Sequence, residues 1–177
     1  MKWPYIKYRV LKAMNGTVAA SRAMGCTVGD GCRILSKIVT TEPWLVKIGD
    51  RVTISANVTL VTHDGSGWLV SDERGRRFRY APVTIGSDVF VGTGAIIMPG
   101  VRIGDRCVVG AGSVVTKSVP DGIVVAGNPA RPISTWDDFT ARVASWPAES
   151  DKIGADYRSR VDSIREQEYR PDMTSSA

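Results

Sequence analysis

The sequence predicts an all-β solenoid of short parallel strands, with an N-terminal capping helix and a C-terminal helical tail. Three observations carry this. Residues 85–120 divide into six hexapeptides, IGSDVF, VGTGAI, IMPGVR, IGDRCV, VGAGSV and VTKSVP. Each opens on an aliphatic residue (Ile85, Val91, Ile97, Ile103, Val109, Val115), and its fifth position is small or β-branched (Val89, Ala95, Val101, Cys107, Ser113, Val119). The same period appears upstream in broken form and is lost after residue 133. A sustained period outranks local propensity.

Six is neither a helical period nor simple strand alternation. It suits one short strand and one sharp turn, with the opening aliphatic facing inward. Three such units bring the chain back to its starting face, one coil per 18 residues. Coils then stack at the inter-strand spacing of roughly 4.8 Å. Ile85 is expected under Ile103, Val91 under Val109 and Ile97 under Val115. The glycines suit turns that need a positive φ or leave no room for Cβ. Because no strand buries its aliphatic alone, the array is stable only as a stack.

Taken in order, residues 1–25 form a helical cap. Trp3, Ile6, Val10 and Met14 make an amphipathic stripe over residues 3–14, placed to cover the first coil. The repeat domain spans 26–133. It starts raggedly at Val28 (VGDGCR, ILSKIV), slips by two residues around TTEPWL, and resumes at Ile48 as IGDRVT, ISANVT and LVTHDG. Residues 64–82 are charged, contain Gly and break the period, so they are an excursion loop from the coil. Loops this long inside compact domains are usually functional. After Pro120 comes DGIVVAGNPARPI. Residues 134–177 form a helical tail, with helical spacing in WDDFTARVASW and ADYRSRVDSIREQEY. Pro147 and Gly154 separate the two, Ser134 or Thr135 caps the first, and the last six or seven residues are expected to be disordered. The tail covers the last coil or binds a neighbouring subunit.

At 177 residues the chain is one domain by size, and 43% apolar content excludes a disordered chain. No apolar run approaches the length of a membrane span, and the N-terminus interleaves Lys2, Lys7, Arg9 and Lys12 with apolar residues, unlike a signal peptide. Three cysteines cannot all pair, and Cys107 occupies an inward repeat position, so Cys26, Cys32 and Cys107 read as thiols of a cytoplasmic protein. The net charge of +5 is modest and lacks the basic, aromatic-interleaved stripe of a nucleic-acid binder. RGRRFR at 74–79 comes nearest. It reads as a solvated loop or as a site for an anionic ligand such as a CoA phosphate or a sugar nucleotide.

The repeats, VTHDG, VGAGSVVTK and GNPAR together resemble the hexapeptide-repeat acyltransferases over residues 26–133, in particular the sugar and polysaccharide O-acetyltransferases. The resemblance implies a left-handed parallel β-helix, a homotrimer, acetyl-CoA as acyl donor and no metal. His63, the single histidine, ends a coil beside the excursion loop and matches the family's general base. A sugar hydroxyl is a poor nucleophile until a base takes its proton. An ordinary imidazole titrates near ~6.5 and suits that task. The attack yields an oxyanion that backbone N–H groups must stabilise, and the Gly92-Thr93-Gly94 turn is the candidate. Asp64 is a candidate to hold the imidazole, although adjacent residues of an extended chain face opposite ways; otherwise it binds acceptor or holds the loop turn. Glu42 is an equal alternative.

The same resemblance places the CoA groove along the later coils, between two subunits. Thr93 matches the small residue beside the thioester and Phe90 an aromatic three positions earlier. Ala111 matches the alanine whose backbone meets the pantetheine arm. Thr116 and Lys117 match a Thr-Lys pair nearer the nucleotide, and Arg131 approaches its phosphates. The repeat itself demands residues like Ala111 and Thr116, but not Lys117 or Arg131.

One departure bears on the acceptor. Galactoside and maltose acetyltransferases carry an acceptor-binding Asn in the preceding coil, where this sequence has Leu35 and Ser36; Asn57 reads as a turn residue. That favours a capsule, exopolysaccharide or lipopolysaccharide sugar over a free sugar. Carbonic anhydrases on this fold hold catalytic zinc with three histidines, which a chain with one histidine does not supply. The chain is too short for a β-helix nucleotidyltransferase's second domain. An N-acyltransferase on an amino sugar, an antibiotic acetyltransferase and a noncatalytic repeat scaffold are the alternatives.

Overall fold

The opening aliphatic of every hexapeptide from Ile85 to Val115 is buried, and so is every fifth position from Val89 to Val119. This pattern, read from a computed structural model that describes residues 3–38 and 40–166, is what draws the chain into three sheets, built mainly of parallel two- and three-residue strands. The first sheet contains Thr27–Val28, Val46–Ile48, Val83–Ile85 and Arg102–Ile103. The second contains Arg33–Ile34, Thr53–Ile54, Phe90–Val91, Val108–Val109 and Ile123–Gly127, closed by the antiparallel Ala130–Thr135. The third contains Thr59–Leu60, Ile96–Ile97 and Val114–Val115. The chain visits the first, second and third sheets in turn.

The register is the one expected from the period. Ile85 pairs with Ile103, Val91 with Val109 and Ile97 with Val115. Upstream, Val28 pairs with Ile48 and Ile34 with Ile54, so that circuit is two residues longer, as the slip around TTEPWL predicts. The aliphatics from all three sheets share one core with Cys26 and Cys107.

The outer turns are equally regular. Arg51, Asp88 and Arg106, each at the fourth position of a repeat, have φ between 53 and 58°. The carboxylates one circuit on accept backbone N–H groups: Asp50 from Asp30, Asp105 from Ser87, Asp121 from Asp105. Gly86 shows why the second position is Gly: an added Cβ would lie 2.2 Å from the Asp105 carboxylate and 2.8 Å from the Gly104 carbonyl carbon. The demand is stacking distance, not backbone angle.

Two expectations about helices change. Helix α1 spans Trp3–Met24, well past residue 14, and Gly16 (φ 81°) interrupts it. The stripe does not pack: Ile6, Val10 and Met14 are 52, 51 and 72% exposed. Burial falls instead on Tyr8, Ala20 and Ser21, and Arg22 ties the helix end to the Val28 and Gly29 carbonyls. The C-terminal pattern yields α2 (Trp136–Val143), with Thr135 and Asp138 exchanging cap hydrogen bonds, and a short α3 (Tyr157–Asp162) capped by Asp156. The second helix, expected to run to residue 169, ends at Asp162, since α3 buries no residue and a short helix is marginal without packing; residues 167–169 lie outside the described residues. The tail expected to be disordered lies outside the described residues. By internal contacts the chain divides into Met1–Phe139 and Thr140–Ala177. Among the described residues no helix is long and apolar enough to cross a membrane.

Candidate active site

His63 stands where the repeat gives way to the excursion loop. Thr59–Leu60 places Leu60 and then Thr62 inward, so the alternating chain turns His63 outward. From there the loop is a hairpin: His63–Asp64 pairs antiparallel with Arg79–Tyr80, with His63 opposite Tyr80 and Asp64 opposite Arg79. A turn of 3-10 helix (Gly65–Leu69) and a second small hairpin, Ser71–Asp72 with Gly75–Arg76, complete it.

Glu42 meets the imidazole. Its Oε2 lies 3.0 Å from His63 Nδ1 and accepts the Thr62 hydroxyl at 2.7 Å, with Thr40 at 3.3 Å. The Thr41 hydroxyl bonds to Oε1, and the Thr40 and Thr62 hydroxyls meet each other. The Glu42 side chain is 12% exposed and that of His63 45%, so a buried carboxylate supports an accessible ring. Burial alone would raise the Glu42 pKa. Hydrogen bonds from Thr41, Thr62 and His63, with the imidazole's charge, outweigh it and hold the carboxyl down at about 2. An ionised carboxylate only accepts, so Nδ1 carries the hydrogen, and in the neutral ring it is Nε2 that holds the lone pair.

Asp64 takes the other role foreseen for it. Its carboxylate accepts Ser66 N at 2.9 Å and Ser66 Oγ at 2.7 Å, capping the 3-10 turn, and those bonds lower its pKa. It does not orient the ring, because alternation sends it to the opposite face of the strand.

The candidate groove residues lie elsewhere. Phe90 belongs to the second sheet and is half-exposed. Thr93 and Ala111 occupy equivalent outward turns of successive circuits, joined by Gly112 N donating to the Thr93 carbonyl at 2.8 Å. The candidate oxyanion turn narrows here. Gly92 and Gly94 donate their N–H groups to the carbonyls of Val109 and Ala56. Among the described residues nothing accepts from the N–H groups of Thr93 and Ala111.

Thr116 is exposed next to Lys117. Lys117 and Arg131 line one pocket of about 260 Å³, with Val115, Ile123 and Pro132. A pocket of about 350 Å³ lies by Leu35, Ser36 and Asn57, whose φ of 58° makes it a turn residue. Thr93 sits between the second and third sheets, whereas His63, like Thr116 and Lys117, follows the third. No cluster of metal-binding side chains occurs among the described residues.

What the sequence did not reveal is an aromatic row beside the base. The His63 and Tyr80 rings are 6.1 Å apart, Tyr80 stacks on Phe78 at 6.2 Å, and the Arg76 guanidinium sits 4.5 Å over Phe78. Its only signal was the alternation of Arg76, Phe78 and Tyr80, which acquires meaning once His63 pairs with Tyr80.

Known proteins resemble this chain along its repeats. Residues 82–117 match the family described as hexapeptide repeat of succinyl-transferase. Protein CapG of Staphylococcus aureus is 38% identical over 143 residues, covering 78% of this chain and 83% of CapG. Galactoside O-acetyltransferase of Escherichia coli (strain K12) is 41% identical over 104 residues, covering 57% of this chain and 49% of that enzyme, so this chain spans about half its length. The solved structure of a galactoside acetyltransferase in complex with coenzyme A superposes with a TM-score of 0.55 at 25% identity, over 86% of this chain and 88% of that one.

Proposed function

Because this chain belongs to the hexapeptide-repeat acetyltransferases, we propose that it moves an acetyl group from acetyl-CoA to a hydroxyl of a sugar or glycan precursor, with His63 as general base. The observation that carries this is the Glu42–His63 contact of 3.0 Å, which fixes one tautomer of an accessible imidazole. Glu42 is a positioning residue. Acetyl-CoA as donor is supported by the galactoside acetyltransferase bound to coenzyme A, and the sugar acceptor by the galactoside O-acetyltransferase likeness.

In the reaction, the acceptor hydroxyl gives its proton to Nε2 as its oxygen attacks the thioester carbonyl. The new C–O bond leaves a tetrahedral oxyanion, for which the unpartnered N–H groups of Thr93 and Ala111 are donors. Collapse breaks the C–S bond, and the Nε2 proton passes to the departing thiolate. Phe90 and Thr116 flank the donor, and Lys117 and Arg131, on one pocket, hold its phosphates.

The placement of His63 and the Thr93 turn at different corners favours a site shared between subunits, hence a homotrimer of left-handed β-helices. The three parallel sheets and their 18-residue register support that reading of the fold. Three unpaired thiols, at Cys26, Cys32 and Cys107, favour a cytoplasmic site of action.

The test is thiol release from acetyl-CoA with sugar acceptors, beside a thermal-shift titration with acetyl-CoA. His63→Ala is expected to lower kcat at least about 10²-fold while the acetyl-CoA shift persists. Unchanged turnover would remove His63 from its role, and no shift at millimolar acetyl-CoA would overturn the enzyme reading.

A further inference from the structure

The hairpin beside His63 is built as a rail. Residues opposite each other in an antiparallel pair share a face. His63 faces Tyr80 across the pair, and contacts beyond the strand carry the row through Phe78 to Arg76, in steps of 6.1, 6.2 and 4.5 Å. Phe78 and Tyr80 are more than half exposed, although two stacked aromatic rings are usually buried. Arg76 is exposed, and no carboxylate pairs with it among the described residues, in contrast to Arg77, which is bound to Asp72. Resting over the Phe78 ring holds the guanidinium plane while leaving its N–H edge open. An oriented guanidinium with free donors is suited to a phosphate, which it grips through two parallel hydrogen bonds.

We infer that the acceptor of the proposed acetyl transfer is an anionic sugar, a glycosyl phosphate or diphosphate, laid along this row with its reacting hydroxyl at His63 and its phosphate at Arg76. The inference rests on the acetyltransferase reading. The apolar face of a sugar ring, or a nucleobase, stacks on Tyr80 and Phe78. A neutral free sugar offers Arg76 hydroxyl oxygens but no charged, bidentate acceptor. Acetylation then precedes the step that consumes the activated sugar: a glycosyl transfer in which the phosphate leaves. Nucleotide sugars and prenyl-diphosphate sugars carry the same chemistry.

The experiment measures kcat/KM at fixed acetyl-CoA for glucose, galactose and N-acetylglucosamine, each against its 1-phosphate, its uridine diphosphate form and a short-chain prenyl diphosphate form. Phosphorylated acceptors are expected to be preferred by roughly tenfold or more. Arg76→Gln should collapse that ratio through the acceptor KM, with the KM for acetyl-CoA within about twofold, and Arg76→Lys should restore part of it. The phosphorylated form with the highest kcat/KM identifies the source.

Three results would overturn the inference: equal turnover of free and phosphorylated sugars, an intact ratio in Arg76→Gln, or a rise confined to the KM for acetyl-CoA, which would assign Arg76 to the donor. In the first two the acetyltransferase reading stands. Loss of the acetyl-CoA thermal shift in the unaltered protein would instead bring down that reading.

Discussion

Glu42 Oε2 touches His63 Nδ1 at 3.0 Å across 21 residues of chain because the circuit carrying Glu42 is oversized. Val28 pairs with Ile48, where the regular period would set partners 18 residues apart. In the stretch Thr40–Glu42 of this longer circuit Glu42 is buried, held by Thr40 and Thr62, and its carboxylate meets the imidazole. An irregularity in the repeat thus becomes part of the proposed site. Without it, the ring would be free to adopt the tautomer whose Nε2 carries the hydrogen and takes no proton.

Glu42→Gln keeps shape and one hydrogen bond but removes the charge that selects the tautomer. The expected result is a drop in kcat of about 10- to 100-fold, with the KM for acetyl-CoA unchanged. Glu42→Asp should recover part of kcat if the shortened side chain still reaches the ring. A matched rise in the acetyl-CoA KM would show instead that the substitution disturbs the fold around the groove.

The same carboxylate makes stability depend on pH. Its pKa is about 2 when folded and 4.5 ordinarily, so its stabilising contribution is present above pH 4.5 and disappears as pH falls through 2. With a side chain only 12% exposed, the contribution is on the order of 3 kcal/mol. Urea denaturation at pH 7 and pH 3 should show a larger loss in the unaltered protein than in Glu42→Gln. Parallel losses would mean that other carboxylates carry the acid sensitivity.

How much of this was legible beforehand depends on whether a residue's role is local or set by pairing. Ile85 through Val119 could be assigned inward positions, and Ile85 paired with Ile103, because a period of six fixes both face and neighbour. His63 was legible from VTHDG. Its partner was not: the slip showed that a circuit was long, but which of Glu42 and Asp64 reached the ring depended on how the additional residues closed. The row from His63 to Arg76 was hidden for a similar reason, since the hairpin register that aligns it is not written in the repeat. The Ile6, Val10 and Met14 stripe misled because its spacing shows amphipathicity, but not which face meets the coil; Gly16 then redirects the helix.

Gly86 tests the stacking argument. Gly86→Ala puts a methyl 2.8 Å from the Gly104 carbonyl carbon, and backbone there cannot yield without parting the circuits. A loss of about 1–3 kcal/mol is expected, read as a lower urea midpoint at unchanged m-value. Gly75→Ala is the counterpart: it has open space but a φ of 82°, so its cost comes from backbone strain in the loop alone.

Lys117 and Arg131 share one pocket, so their effects should be coupled. Lys117→Ala and Arg131→Ala are each expected to raise the KM for acetyl-CoA by about 5- to 20-fold with kcat little changed, and the double variant should depart from additivity. An unchanged KM in both would move the donor's phosphates away from this pocket.

The last prediction concerns the site's assembly. His63→Ala lacks the base; Thr93→Trp fills the outward turn beside the proposed thioester position. Both side chains are exposed, so neither change disturbs the core. If base and groove come from adjacent copies of a trimer, each homogeneous variant is nearly inactive, but mixed trimers contain interfaces pairing an intact His63 with an intact groove. Random reassortment of equal amounts leaves roughly a quarter of the interfaces intact on both sides. Recovery of about that share of activity after joint refolding is expected. A mixture no more active than its parts would place the whole reaction within one chain, and His63 would then have to reach a donor bound on its own corner.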